Sequence, residues 1–343
     1  MKKIVIHSAG SYDKLKIEDT PSPEPTSLEV RVKVAYSGIN YADSVIRMGF
    51  YSSAKELVGW PITPGFEYSG TIDACGSGIT DLKVGDQVFG ITLFGGYTSE
   101  IVVPRRQIYP LPSFLTLEQA AALSAVSLSA YFPLIEMMKI RPGMKVLIHS
   151  AAGGVGSAMV QIAKAEGAEV TGVVGSTHKV EAIKRLGVDH IIDKSSVDLW
   201  AHAKKIAPVG FNVIADANGV ETLKQSYEHV AQAGKLVIYG FHTMLPRSGE
   251  RMNYFKLAWN YLRTPKFSPM TLTNHNKSIL CFNLSYLFTK LDIFDEGIRY
   301  VLELLESGKM KPPQVTIFPY EEVAKAQATL ESGKTVGKLV LKF

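Results

Sequence analysis

The segment Lys145 to Gly156, KVLIHSAAGGVG, constrains this chain more than any other, because it opens directly into the helix-like run SAMVQIAKAEGA. A short apolar run rich in β-branched residues (Val146, Leu147, Ile148) enters a turn of small residues, which passes into an amphipathic helix. In that strand–turn–helix context a glycine-rich motif reads as a grip for a dinucleotide. Gly153 has no Cβ, so the backbone there can approach a pyrophosphate closely, and Gly156 lets the helix pack tightly on the strand. The N–H groups and positive dipole end of the helix then face the phosphates. Gly154 and Val155 complete the contacts expected from this turn. Read as G-x-G-x-x-G, the motif carries Ala151 where the first glycine belongs, so an ordinary tight turn is the competing reading.

The residues downstream favour the dinucleotide. A second strand (Val170 to Val174) ends in Gly175-Ser176-Thr177, followed by a helix carrying Lys179, Lys184 and Arg185. A third strand (His190 to Ile192) ends at Asp193-Lys194, and the runs Phe211 to Gly219 and Gly234 to Gly240 follow at helix-length intervals. Strands alternating with helices in this way predict βαβ units and a doubly wound parallel sheet. Sites for NAD hold the ribose 2′-OH with an acid about 20 residues past the glycine loop. Here that region is Val174 to Lys179, with no acid before Glu181. Gly175, Ser176 and Lys179 suit a 2′-phosphate, which favours NADPH over NADH. Lys194, at the mouth of the third strand, is a second candidate for a phosphate contact. For Lys179 the plainer reading is a solvated helix lysine.

At 343 residues the chain is long enough for two domains. The net charge of +5 is spread rather than clustered, which argues against nucleic acid as a partner. Two cysteines, Cys75 and Cys281, imply no disulfide framework and point to a reducing, cytoplasmic location. MKKIVIHSAG reads as a first strand rather than a signal peptide. The charge-free run Ala120 to Ile135 contains three serines and Pro133, is short for a bilayer, and reads as a buried interdomain helix. Residues 1 to about 120 are rich in glycine and proline turns. Val30, Val32 and Val34 alternate there with Arg31 and Lys33, the pattern of a half-buried strand. The last segment predicts a helix (Phe294 to Ser307), a strand (Gln314 to Phe318), a helix (Glu321 to Ser332) and a final strand in GKLVLKF that rejoins the β module. The nucleotide domain is then an insertion, with boundaries 1–124 and 288–343 for the β-rich domain and 125–287 for the inserted one. The cleft between them is the expected active site.

The ordered motifs GxNYxD (Gly38 to Asp43), TPGFEYSG (Thr63 to Gly70), KVGDQVFG (Lys83 to Gly90), GGYTSEIVVP (Gly95 to Pro104), LEQAAAL (Leu117 to Leu123) and SAAGGVG resemble the medium-chain dehydrogenase/reductase superfamily. Within it the chain is similar to the zinc-free quinone oxidoreductases. GSYDKLKI (Gly10 to Ile17) and the block Arg263 to Leu287 resemble the vesicle amine transport protein-like branch. The resemblance implies a GroES-like β-rich catalytic domain with an inserted Rossmann domain. Zinc members use a cysteine and the histidine of a GHE motif. Here Phe66 stands at the histidine position and Asn40 near the cysteine position, and two cysteines cannot supply a four-thiolate site. No metal is expected, and Glu67 reads as a buried structural carboxylate.

Without a Lewis acid, reduction must suit quinones and activated enones, whose conjugated systems spread the developing charge. The resemblance places Asn40 at the nicotinamide end of the cleft as an amide donor to a carbonyl oxygen. It makes Tyr51 a pocket wall and hydroxyl donor; the plainer readings are a turn asparagine and a core tyrosine. It also implies cofactor contacts at Ser129, Asn218, Tyr239, Gly240 and Phe241. Phe282 and Asn283 fall on a last strand through which a homodimer is expected to pair. The basic and aromatic stretch Phe241 to Asn276, with Arg247, Arg251, Lys256, Arg263 and Lys266, reads as packing with a lid contribution, a peripheral membrane contact being the alternative. Two functions compete. One is a zinc-independent, NADPH-dependent reductase of quinones or α,β-unsaturated carbonyls. The other is an NADPH-binding interaction or redox-sensing protein with little turnover.

Overall fold

The apolar runs in the middle of the chain form a six-stranded sheet in which every strand runs parallel to its neighbours. In chain order its strands are Lys145–Ile148, Glu169–Val174, His190–Asp193, Phe211–Asp216, Val230–Ile238 and Ser278–Cys281, and they lie side by side as 3-2-1-4-5-6. Val146, Leu147, Ile148, Val170, Val213 and Ile214 are fully buried. Burial on both faces is why these strands read as continuous apolar runs rather than alternating ones. Strand order reverses between the first and fourth strands, so their carboxyl ends, at Ile148 and Asp216, flank the crevice where such sheets take ligands.

The computed structural model describes residues 1–246 and 253–343. They divide into two units: Ser127–Leu284 with Arg299–Lys311, which holds the parallel sheet, and Met1–Val126 with Ser285–Ile298 and Pro312–Phe343. Residues 299–311 join the first of these because Tyr300 Oη donates to Glu166 at 2.7 Å and the Lys311 N–H donates to Gln161 at 2.7 Å. Arg247 and Arg251 lie outside the described residues.

The second unit is β-rich. Val30, Val32 and Val34 are buried beneath the exposed Lys33, as their alternation requires, on the long strand Glu29–Ile39. This strand is central to a mainly antiparallel sheet. Lys338–Lys342 lies on one side and Glu67–Cys75 on the other, both antiparallel to it, and Val315–Pro319, Gln87–Ile91 and Ile108–Pro110 extend the edges. The C-terminal run GKLVLKF thus pairs within the β-rich unit, Leu339 opposite Ile39. Antiparallel pairing on both flanks has a geometric result. The first residues of the two outer strands, Glu67 and Lys338, come to the end of the central one, next to Asn40.

Two expectations need correction. The run Ala120 to Ile135 is not one helix. It is a short helix Leu117–Ala120, a helix Ser124–Tyr131 and a wider π turn Phe132–Met137. Pro133 lacks the N–H that an α-helical bond would need, which favours the change of winding. Phe282 and Asn283 lie just past the last parallel strand rather than on it. The ladder ends at Ile238 opposite Cys281, the Phe282 ring packs on Phe132 at 5.5 Å, and the chain then enters the turn Leu284–Leu287.

Candidate functional site

In the parallel-sheet unit the strand Lys145–Ile148 leads through Ser150 to Gly153, the N-cap of the helix Gly154–Ala165. The turn is tied down by its own backbone. Gly153 N–H donates to Ser150 O at 3.0 Å, Ala151 N–H to Val173 O at 3.0 Å, and Ser157 N–H to Gly153 O at 2.8 Å. The first intrahelical acceptor is therefore used by Ser157, and the N–H groups of Gly154, Val155 and Gly156 precede it. The two key glycines differ in what they answer to. A Cβ on Gly156 would stand 2.3 Å from Ser150 O, so the fold itself demands glycine there. A Cβ on Gly153 would meet only Ser150 O, at 3.4 Å, an ordinary contact, so the fold's own packing does not demand glycine there. Three N–H groups ahead of the first intrahelical bond, behind a residue with no Cβ, fit a diphosphate.

At the end of the second parallel strand, Gly175 is exposed and Lys194 folds over it, 3.7 Å from where a Cβ would be. Ser176 and Lys179 are half-buried nearby, and burial pushes the Lys179 ammonium below its ordinary value. Asp193 was expected at the end of the third strand but with no role. It ends the third strand, not the second, and accepts from Thr177 Oγ1 at 2.6 Å and from Ser195 Oγ at 2.6 Å. Bonds from Ser195 and Thr177 hold its carboxyl below the usual carboxylate range. Both of its oxygens are thus engaged by neighbouring hydroxyls.

Asn218 is buried beside the turn, its Oδ1 accepting from Ser150 Oγ at 3.3 Å. The Tyr239 N–H donates to Asp216 O at 3.1 Å, and a Cβ on Gly240 would stand 3.0 Å from Ala217 O. Phe241 packs against Gly219 while remaining 46% exposed. Ser129 is half-buried on the helix Ser124–Tyr131.

In the β-rich unit the residues around Asn40 form a buried polar network. Asn40 Nδ2 donates to Glu67 Oε1 at 3.0 Å, and Lys338 Nζ donates to Asn40 Oδ1. Lys338 Nζ also lies 2.8 Å from Glu67 Oε1, with the two side chains only 5% and 0% exposed. The other Glu67 oxygen accepts the Ala125 N–H at 2.8 Å. Gly38 makes room for this carboxylate, since a Cβ there would stand 2.4 Å from Glu67 Oε1. One turn further on, Asp43 accepts the Asn40 N–H at 2.7 Å, the Gly65 N–H at 2.9 Å and Tyr97 Oη at 2.9 Å. Burial pushes its carboxyl up to about 6 in spite of these donors. Sequence reading found Asn40 and Glu67 but missed Lys338, which reads in GKLVLKF as an ordinary strand-edge lysine.

Tyr51 is half-buried, its ring edge-on to Phe66 and Phe94 at 6.0 and 6.3 Å. Its hydroxyl lies 2.8 Å from Ser285 Oγ. Phe66 thus belongs to an aromatic cluster with Tyr51 and Phe94. Among the described residues no group of three His, Cys, Asp or Glu side chains could hold a metal ion, and the donor set does not fit zinc. No described helix is long and apolar enough to cross a membrane.

Known proteins match this chain along its whole length. The family described as alcohol dehydrogenase GroES-like domain matches residues 26–113, and the zinc-binding dehydrogenase family matches residues 154–286. The synaptic vesicle membrane protein VAT-1 homolog of Homo sapiens is 33% identical across 99% of this chain and 86% of its own. The Escherichia coli quinone oxidoreductase complexed with NADPH superposes with a TM-score of 0.86 at 26% identity, covering 100% of each chain. The CurK enoyl reductase does so with a TM-score of 0.84 at 27% identity, over 99% of this chain and 98% of its own.

Proposed function

The chain belongs to the medium-chain dehydrogenase/reductase superfamily, in its zinc-free quinone oxidoreductase group and vesicle amine transport protein-like branch, and from that premise we propose an NADPH-dependent, zinc-independent reductase of quinones or α,β-unsaturated carbonyls. The observation that carries this reading is the turn at Gly153, where the N–H groups of Gly154, Val155 and Gly156 precede the first intrahelical bond, behind a glycine that the protein's own packing does not require. The similar quinone oxidoreductase is complexed with NADPH, which supports the same coenzyme here.

In this proposal the helix-start N–H groups of Gly154 and Val155 bind the diphosphate, with Ala151, Gly153 and Asn218 shaping the turn. Gly175, Ser176, Lys179 and Lys194 hold the 2′-phosphate. Ser129, Tyr239, Gly240, Phe241, Phe282 and Asn283 contact the remainder of the coenzyme. Bound in this way, NADPH supplies a hydride to a conjugated acceptor. Asn40 donates an amide N–H to the acceptor's carbonyl oxygen, where negative charge collects as the conjugated system is reduced. Tyr51 walls the acceptor with its ring. The proton that completes the reduction comes from the Tyr51 hydroxyl, through its contact with Ser285, or from water.

The test is steady-state oxidation of NADPH with an ortho-quinone and with an enone. Acceptor-dependent oxidation, faster with NADPH than with NADH, is the expected result. NADPH binding with no acceptor-dependent oxidation would overturn it in favour of the second reading, an interaction or redox-sensing protein. That reading draws on the helix Tyr254–Arg263, which exposes Tyr254, Phe255, Trp259 and Leu262 beside Lys256 and Arg263, a face suited to a partner or an anionic membrane surface. We also propose a homodimer paired along Ser278–Cys281, which has a strand on one side only among the described residues. The proposed location is the cytoplasm, where the free thiols Cys75 and Cys281 stay reduced.

A further inference from the structure

An asparagine side chain has two ends of similar shape and opposite chemistry, an acceptor oxygen and a donor nitrogen. A flip about its last torsion exchanges them, so an asparagine meant to act as a donor needs something to hold it. At Asn40 the neighbours can accept only one answer. Lys338 is a pure donor and faces Oδ1, while Glu67 is an acceptor and takes one N–H of Nδ2 at 3.0 Å. The flipped amide would set its NH2 group against an ammonium and its oxygen against a carboxylate. Lys338 and Glu67 are themselves fixed, because they pair at 2.8 Å, are almost wholly buried, and start the strands on either side of the one that ends beside Asn40. Glu67 is held once more by the Ala125 N–H.

We propose that Lys338 is a positioning residue for the reductase. Together with Glu67 it locks the Asn40 amide in the orientation that presents the second N–H of Nδ2, and not a carbonyl oxygen, to the oxygen of the acceptor. The ammonium does more than orient. A cation on Oδ1 draws electron density through the amide and strengthens the N–H at its other end as a donor. The buried ion pair therefore selects acceptors that carry a hydrogen-bond-accepting oxygen next to the reducible bond. This inference rests on the reductase reading and deepens it.

Removing the ammonium alone would leave Glu67 charged and buried, so the informative variant is Glu67→Gln/Lys338→Met, which removes both charges together. With an ortho-quinone its kcat should fall about 10–100-fold, less than the roughly 100–1,000-fold cost of removing an oxyanion donor outright, because the amide is freed to turn and not deleted. The KM for quinone and the Kd for NADPH should change less than threefold, and Lys338→Arg should recover most of the rate. A folded double variant with kcat within twofold of the parent, or a Lys338→Arg variant as impaired as the double one, would overturn the proposal. A second readout does not depend on turnover. In protein labelled with 15N-asparagine, the Asn40 side-chain N–H that bonds Glu67, its signal assigned by loss in Asn40→Ser, should be protected from hydrogen exchange in the parent. That protection should drop at least tenfold in the double variant, and unchanged protection would sink the idea. A parent that oxidises no NADPH would refute the reductase reading, while the exchange data would still decide whether Lys338 holds the amide.

Discussion

The two units build their candidate sites from opposite materials. The parallel-sheet unit uses a turn inside the consecutive residues Lys145–Gly156, and its functional groups are backbone N–H donors set by local winding. The β-rich unit uses side chains, with Asn40 and Lys338 separated by 298 positions and brought together by strand register. A backbone site tolerates almost any side chain, provided the glycines remain where the fold needs them. A side-chain site depends on each ionic partner, because an orphaned buried charge or donor costs far more than a pair contributes.

The largest effect that would sharpen this contrast is expected at Asp43. Asp43→Ala leaves the Asn40 N–H, the Gly65 N–H and the Tyr97 hydroxyl without their acceptor. It should lower unfolding free energy by about 3–5 kcal/mol, read by chemical denaturation. A loss under 1 kcal/mol would mean that the network relaxes easily and the contrast is overstated.

The pH dependence of the two units should run in opposite directions. The Asp43 pKa is raised in the folded state, from 3.8 to about 6. Its contribution is therefore complete below about pH 4 and is lost as pH rises through 6, by about 2–3 kcal/mol. His149, fully buried beside Ser226 in the parallel-sheet unit, is pushed down by burial. Its contribution is present above the ordinary histidine value of 6.5 and is lost as pH falls below it. Denaturation curves at pH 4.5, 6 and 7.5 should show the stability gap between parent and Asp43→Asn shrinking as pH rises. The gap to His149→Asn should grow over the same range. Parallel trends would break the comparison.

A smaller effect separates the two glycines. Gly156→Ala drives a methyl into Ser150 O and should cost about 1–3 kcal/mol of stability. Gly153→Ala should leave the melting temperature nearly unchanged yet weaken NADPH binding, measured by calorimetry. If both variants bind NADPH like the parent, the turn does not hold the diphosphate. The smallest expected change is at the 2′-phosphate, where Lys179→Ala should weaken NADPH about tenfold and leave NADH nearly unaffected. Equal losses for the two coenzymes would remove Lys179 from that role.

How far the sequence could be read follows from the same difference. The strand, turn and helix around Gly153 were visible because the apolar run, the small residues and the helix that follow one another there carry local signals, even though the turn is also held from Val173 and Asn218. The sheet was visible because strands buried on both faces leave unbroken apolar runs. Both strand ends were legible, but the bond between Thr177 and Asp193 was not, since it depends on how two neighbouring strands lie side by side. Lys338 was beyond reach for a stronger reason. Alternation in GKLVLKF shows a strand, but only its pairing with Ile39 shows that the lysine at its start stands beside Asn40 and Glu67. The break of the Ala120 to Ile135 run at Pro133 was foreshadowed by the proline, though composition alone favoured a single helix.

The distance between Glu67 and its counter-charge also bears on how the molecule is made. The ribosome releases Glu67 271 residues before Lys338, an interval of about 14–54 s at ordinary elongation rates. Throughout that time the carboxylate destined for the dry end of the sheet has no cation to meet. The strand Glu67–Cys75 can pair with Glu29–Ile39 and Gln87–Ile91 at once, but its Glu67 end gains its counter-charge only when the closing strand Lys338–Lys342 emerges. The nascent β-rich unit completes its interior only after the parallel-sheet unit has been fully synthesised.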